Sequence, residues 1–171
     1  SVEDEVRRDL KRIYEKHEEA VRRVEERHER SNERLEDVIR KVEDKHREIL
    51  KKLEDEPVEE EFIKELEKNV RTVKKKAEDK LRESEKNSRD LKRKIDESNK
   101  RLRDKIEELE RANLPEEDVK RVLDKLDEEV KDSVRELEEH VEKNERDVEE
   151  IAKDLERHVE ETRKEVDKTA K

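Results

Sequence analysis

The sequence predicts an all-α protein: an antiparallel up-down-up three-helix bundle of long, nearly straight helices, about 55 residues each. Three observations lead there. Charged residues make up 61% of the 171 positions and hydrophobic ones only 26%, against roughly 25% charged in an ordinary globular domain. Such a composition leaves disorder or helix, and the apolar residues are spaced regularly. Glycine is absent, as are Cys, Met, Trp and Gln. That removes the tight hairpin turns that need positive φ, Gly-rich phosphate loops, the nucleophile elbow, disulfides and thiolate metal sites. Finally, the two prolines, Pro57 and Pro115, stand 58 residues apart in matching contexts, Asp55-Glu56-Pro57-Val58-Glu59-Glu60 and Asn113-Leu114-Pro115-Glu116-Glu117-Asp118.

The first helix is expected over about 2–54. Ser1 can cap it, Glu3, Asp4 and Glu5 favour the positive end of its dipole, and Lys51 and Lys52 the negative end. Asp55 then ends it, as a short polar residue able to take the left-handed conformation, and Pro57 opens the second helix from its first turn, over about 57–112. The grammar repeats: Asn113 ends the second helix and Pro115 opens the third, over about 115–170, which closes on Lys164, Lys168 and Lys171. Two-residue turns near 55–56 and 113–114 force neighbouring helices antiparallel. One continuous rod kinked at proline is the alternative, against which the repeated punctuation argues.

Within each segment an apolar stripe advances by close to the ~3.6 residues of one helical turn, which suits straight helices, whereas 3.5 would impose a left-handed supercoil. Pairs such as Ile13/Tyr14, Val38/Ile39 and Phe62/Ile63 widen it. The middle segment, 57–114, carries net charge +2, between segments at −3 (1–56) and −9 (115–171). Mutual contact of all three helices therefore sets the least acidic against two acidic ones.

The stripe is interrupted by residues foreign to a plain apolar core: His17, His28, Ser31, His46, Ser84, Ser88, Asn99, Ser133, His140, Asn144, His158 and Thr162. With turns near 55–56 and 113–114, residue i of the first helix faces about 112 − i of the second and i + 116 of the third. His28 then lies beside Ser84 and Asn144, with Ser88 and His140 a turn away. His46 is level with Thr162, with His158 near Val42 and Asn69. His17 lines up with Ser133, with Ser98 and Asn99 a turn away. Four readings are open: half-exposed stripe edges; buried hydrogen-bond networks that fix register, because unpaired buried polar atoms cost about 1–3 kcal/mol; a pH response through imidazole protonation; or a metal site, which zinc would want built from three or four ligands where each layer offers at most two histidines. Networks fit the clustering best, and no metal site is expected.

Other functions find little footing. The net charge of −10 and the lack of aromatics around Lys74-Lys75-Lys76 speak against nucleic acid. No stretch reads as a membrane span or signal peptide, and no broad aromatic face suits a membrane surface. Serines lie inside helices rather than on strained turns, and three closely packed helices are expected to leave no pocket, so no enzyme is expected. Nor is any cofactor or partner, and the chain should be a monomer.

Taken together, the repeated turns, deliberate caps and clustered stripe polars resemble a de novo designed, parametrically generated three-helix bundle with buried hydrogen-bond networks. The resemblance covers the whole chain and rests on style rather than on a diagnostic motif. It implies a structural scaffold without natural activity, its polar networks giving register and orientation. A pH-responsive designed bundle switched by core histidines is one alternative; a natural spectrin-like or coiled-coil rod is another, though a 3.5 repeat and more aromatics would be usual there. Seventeen valines depart from the pattern, since Val loses χ1 freedom in a helix.

Overall fold

A computed structural model describes residues 2–169, the side chain of Val2 apart. The cap expected of Ser1, the place of Val2 in the stripe and the closing charge of Lys171 lie outside the described residues. Three helices fill the chain: α1 Val2–Glu54, α2 Glu60–Arg111 and α3 Glu116–Thr169. They form the antiparallel three-helix bundle, and no strand occurs among the described residues. Acidic first turns recur at Glu3-Asp4-Glu5, Glu60-Glu61 and Glu116-Glu117-Asp118, with Lys51 and Lys52, Arg111 and Lys168 in the last turns. Along the exposed faces Asp-x-x-Arg pairs repeat, including Asp44–Arg47, Asp79–Arg82 and Asp132–Arg135. Such pairs serve solubility more than stability.

The turns correct the sequence expectation in three respects. No described non-glycine residue has positive φ, so neither Asp55 nor Asn113 ends its helix in the left-handed conformation. Proline explains this: it drives Glu56 and Leu114, the residues before it, toward extended backbone, so the chain leaves each helix without a reversal of φ. The second connection is also four residues long, 112–115, and the first five, 55–59, rather than two. In the first, the Glu56 N–H donates to the Leu53 carbonyl at 3.2 Å, and the Val58 N–H donates to the Glu56 carbonyl across Pro57 at 2.9 Å. That tight closure holds Pro57 outside α2. The helix starts at Glu60 instead, its first carbonyl acceptor being Glu59, which takes the N–H groups of Phe62 and Ile63. At the second connection Pro115 stands just before α3, and its carbonyl accepts from Asp118 and Val119 at 2.9 and 3.3 Å.

The chain divides into two compact units, each drawing a segment from every helix: Ser1–His28 with Asn87–Lys143, and Glu29–Lys86 with Asn144–Lys171. In the first unit one apolar cluster gathers Leu10, Ile13, Leu102, Leu123, Leu126 and Val130, and another Val21, Val24, Leu91, Ile95, Leu137 and Val141. The second unit packs Leu35, Val38, Val42, Val73, Val148 and Leu155 in one cluster and Ile49, Leu53, Leu66 and Val166 in another. Each buried Leu, Ile or Val contributes on the order of 1.5–3 kcal/mol before chain entropy is subtracted. Of the pairs expected to widen the stripe, Val38 and Ile39 are buried and Phe62 and Ile63 half-buried, but Tyr14 is exposed. Most of the expected α3 stripe is buried, Leu126, Leu137, Val148 and Leu155 among it, but at three places the next residue takes the inward position: Val141, Ala152 and Val159 are buried, and His140, Ile151 and His158 sit half-buried beside them.

Candidate functional site

Register decides which polar residues meet. In the first unit His17 contacts Ser98 and His28 contacts Ser88; in the second Asn32 contacts Ser84. Residue i of α1 therefore faces about 116 − i of α2, one turn beyond the expected 112 − i. The longer first connection supplies most of this, because its three extra residues move the pairing by three of the four. Between α1 and α3 the pairs Arg27–Glu142 and Arg34–Glu149 give i + 115, within one residue of expectation.

In the first unit, His17 is buried, and its Nε2 lies 2.7 Å from the Ser98 Oγ, which lies 2.6 Å from the Ser133 Oγ. One chain of hydrogen bonds thus joins α1, α2 and α3. Of the two residues expected within a turn of His17, Ser98 takes the buried place, and Asn99, the stripe candidate, is half-buried beside it. Ser98 stands three residues after Ile95 and four before Leu102, so either residue fits the stripe until register is known. Burial lowers the pKa of His17 below its ordinary 6.5, leaving the ring neutral at pH 7.

His28 is also buried, with its Nε2 2.7 Å from the Ser88 Oγ. Its pKa is lowered first by burial and then by the nearby His140. His140 itself is half-buried, and its Nε2–H donates to the backbone carbonyl of Asn87 at 3.4 Å. The partner expected for His28, Ser84, belongs to the second unit, where its hydroxyl donates to the Asn32 Oδ1 at 2.5 Å. Asn32 was invisible as a partner in sequence because it lies beside the stripe rather than on it. Asn144, likewise in the second unit, is buried.

His46 differs from both. It is as buried as the other two, yet its Nε2 has no hydrogen-bond partner among the described residues, and the half-buried Ser31 leaves its Oγ in the same condition. Thr162, the expected partner of His46, is buried but donates its hydroxyl to the His158 carbonyl of its own helix at 2.9 Å. A threonine inside a helix readily bonds back one turn, and here that local acceptor wins. The pKa of His46 is lowered by burial and then by His158, whose Nε2 lies 3.8 Å from the Asp154 Oδ1.

The expectation of a bundle without pockets also needs correction. A cavity of about 240 Å³ in the first unit is lined by His17, Ser98 and Ser133 together with Leu102, Leu126 and Val130, and by Arg101 and Lys105. Among the described residues, no group of three His, Asp or Glu side chains is placed to hold a metal ion. No helix among the described residues is long and apolar enough to cross a membrane. Comparison with protein families, with curated proteins and with solved structures finds no match.

Proposed function

We propose that the chain is a structural scaffold in the manner of a de novo designed bundle, without natural biochemical activity. Its buried polar contacts dictate which faces of the helices meet. The supporting observation is the His17–Ser98–Ser133 chain, to which each helix contributes one member. Sliding any helix by one turn would bring an apolar residue to one of these atoms and strand its neighbours, at about 1–3 kcal/mol for each unpaired buried group. Competing registers that an apolar stripe alone would tolerate are penalised in this way. On this reading the chain works as a monomer and needs no cofactor, nucleic acid, membrane or protein partner.

Urea denaturation of two variants tests it. His17→Leu alone takes the imidazole partner from the buried Ser98 hydroxyl, leaving it only Ser133, and should cost about 1–3 kcal/mol. His17→Leu combined with Ser98→Ala and Ser133→Ala removes every member and should keep the helical fold at closer to parental stability. A single variant as stable as the parent contradicts the network role.

A second reading, a bundle that responds to acid, is favoured by one observation: two of the three buried imidazoles of α1, His28 and His46, each lie near another imidazole, His140 and His158. Protonation would bring like charges together in the core. Loss of helicity and compactness between pH 7 and 5 would establish this reading, and an unchanged bundle would remove it.

A further inference from the structure

The His17–Ser98 hydrogen bond is joined by two features that a purely structural one does not need, an adjoining cavity and cations in its wall. The imidazole Nε2 and the hydroxyl are 2.7 Å apart, the distance at which a base takes a proton from a nucleophile. Both side chains line a cavity of about 240 Å³, room enough for a small acyl group and its leaving group. Two cations, Arg101 and Lys105, line the same cavity. Lys105 is paired with Glu129, whereas Arg101 carries no ion pair among the described residues. Burial keeps His17 neutral at pH 7, the form in which it accepts a proton.

We infer that Ser98 is a nucleophile acylated by small uncharged aryl esters, with His17 as its general base. With the ring proton on Nδ1, the Ser98 hydroxyl donates to Nε2 while Ser133 donates to the Ser98 Oγ and holds it in place. As Ser98 Oγ bonds to the ester carbonyl carbon, its proton passes to His17 Nε2. The oxyanion that forms is stabilised by the Arg101 guanidinium. Collapse breaks the bond to the aryloxy group, which leaves with the proton from His17 as a phenol, and the acyl group remains on Ser98. The apolar Leu126 and Val130 suit an aryl ring, and the acidic Glu129, Asp132 and Glu136 disfavour a carboxylate-bearing ester.

This goes beyond a scaffold role and is read by labelling rather than by stability, so either can fail without the other. The folded protein is incubated with p-nitrophenyl acetate at pH 7, digested and mapped by mass spectrometry. One acetyl group on Ser98 is expected, formed about 100-fold faster than on Ser98 of the urea-unfolded chain, as general-base assistance would give. Ser88, equally close to an imidazole but outside this cavity, should be labelled more slowly. His17→Asn, with its fold checked by circular dichroism, should lose most of the rate at Ser98. No acetyl on Ser98 of the folded protein overturns the inference. So does equal labelling of the folded and unfolded chains, or an undiminished rate in folded His17→Asn.

Discussion

His17 and His46 sit on the same helix at 2% and 4% exposure, one in each compact unit, and their surroundings are opposite. His17 meets a serine on α2 that in turn meets a serine on α3. His46 shares a cavity wall with Val70, Val73 and Ala77 of α2, and the threonine expected to partner it, Thr162, is bonded to its own helix. Two residues of one type, equally removed from water, therefore carry opposite signs in the energetics: one anchors a network and the other bears the desolvation cost of an unpartnered nitrogen. Burial alone does not tell what a core histidine does; the partner does.

The largest expected effect is the difference between leucine substitutions at these two positions. Whereas His17→Leu destabilises, His46→Leu replaces an unsatisfied imidazole by an apolar side chain among Val42, Val73 and Ala77. It should stabilise by about 1 kcal/mol, read as a higher urea midpoint with an unchanged slope. Equal losses at both positions would break the comparison.

Acid comes next. Each α1 imidazole has a folded pKa below its ordinary 6.5, so the unfolded chain binds more protons as pH falls. Stability is therefore full above about pH 6.5 and declines as pH drops from there through each folded value, below which that histidine adds no further loss. The urea midpoint should follow this course, with a shallower decline in His46→Leu. The smallest effect concerns the second imidazole of the pair: His158→Ala removes a like charge from beside His46 and should move its protonation upward, visible by NMR as a higher midpoint for the His46 ring alone.

The fold was legible because it depends on repetition: a helical apolar stripe with acidic starts, interrupted at two prolines. Polar partners depend instead on register, and register on loop length. Pro57 reads equally well as the first residue of a helix or as part of a turn, and its closure between Glu56 and Val58 lengthens the connection by three residues. That moves α2 one turn along α1, which brings Ser88 rather than Ser84 to His28 and draws Ser98, expected a turn away, level with His17. Neither could the pattern show that Thr162 would turn to its own backbone, leaving His46 without a partner. His140 and His158 are half-buried because the next residues, Val141 and Val159, take the inward position in their place.

Imidazole titration by NMR on the intact protein tests most directly whether folding takes the α1 histidines out of water. Ring resonances of His17, His28 and His46 that stay neutral through pH 6.5 and protonate only at lower pH are the expected result. Free-solution titration of all three near 6.5, with the helices still assembled, would contradict it.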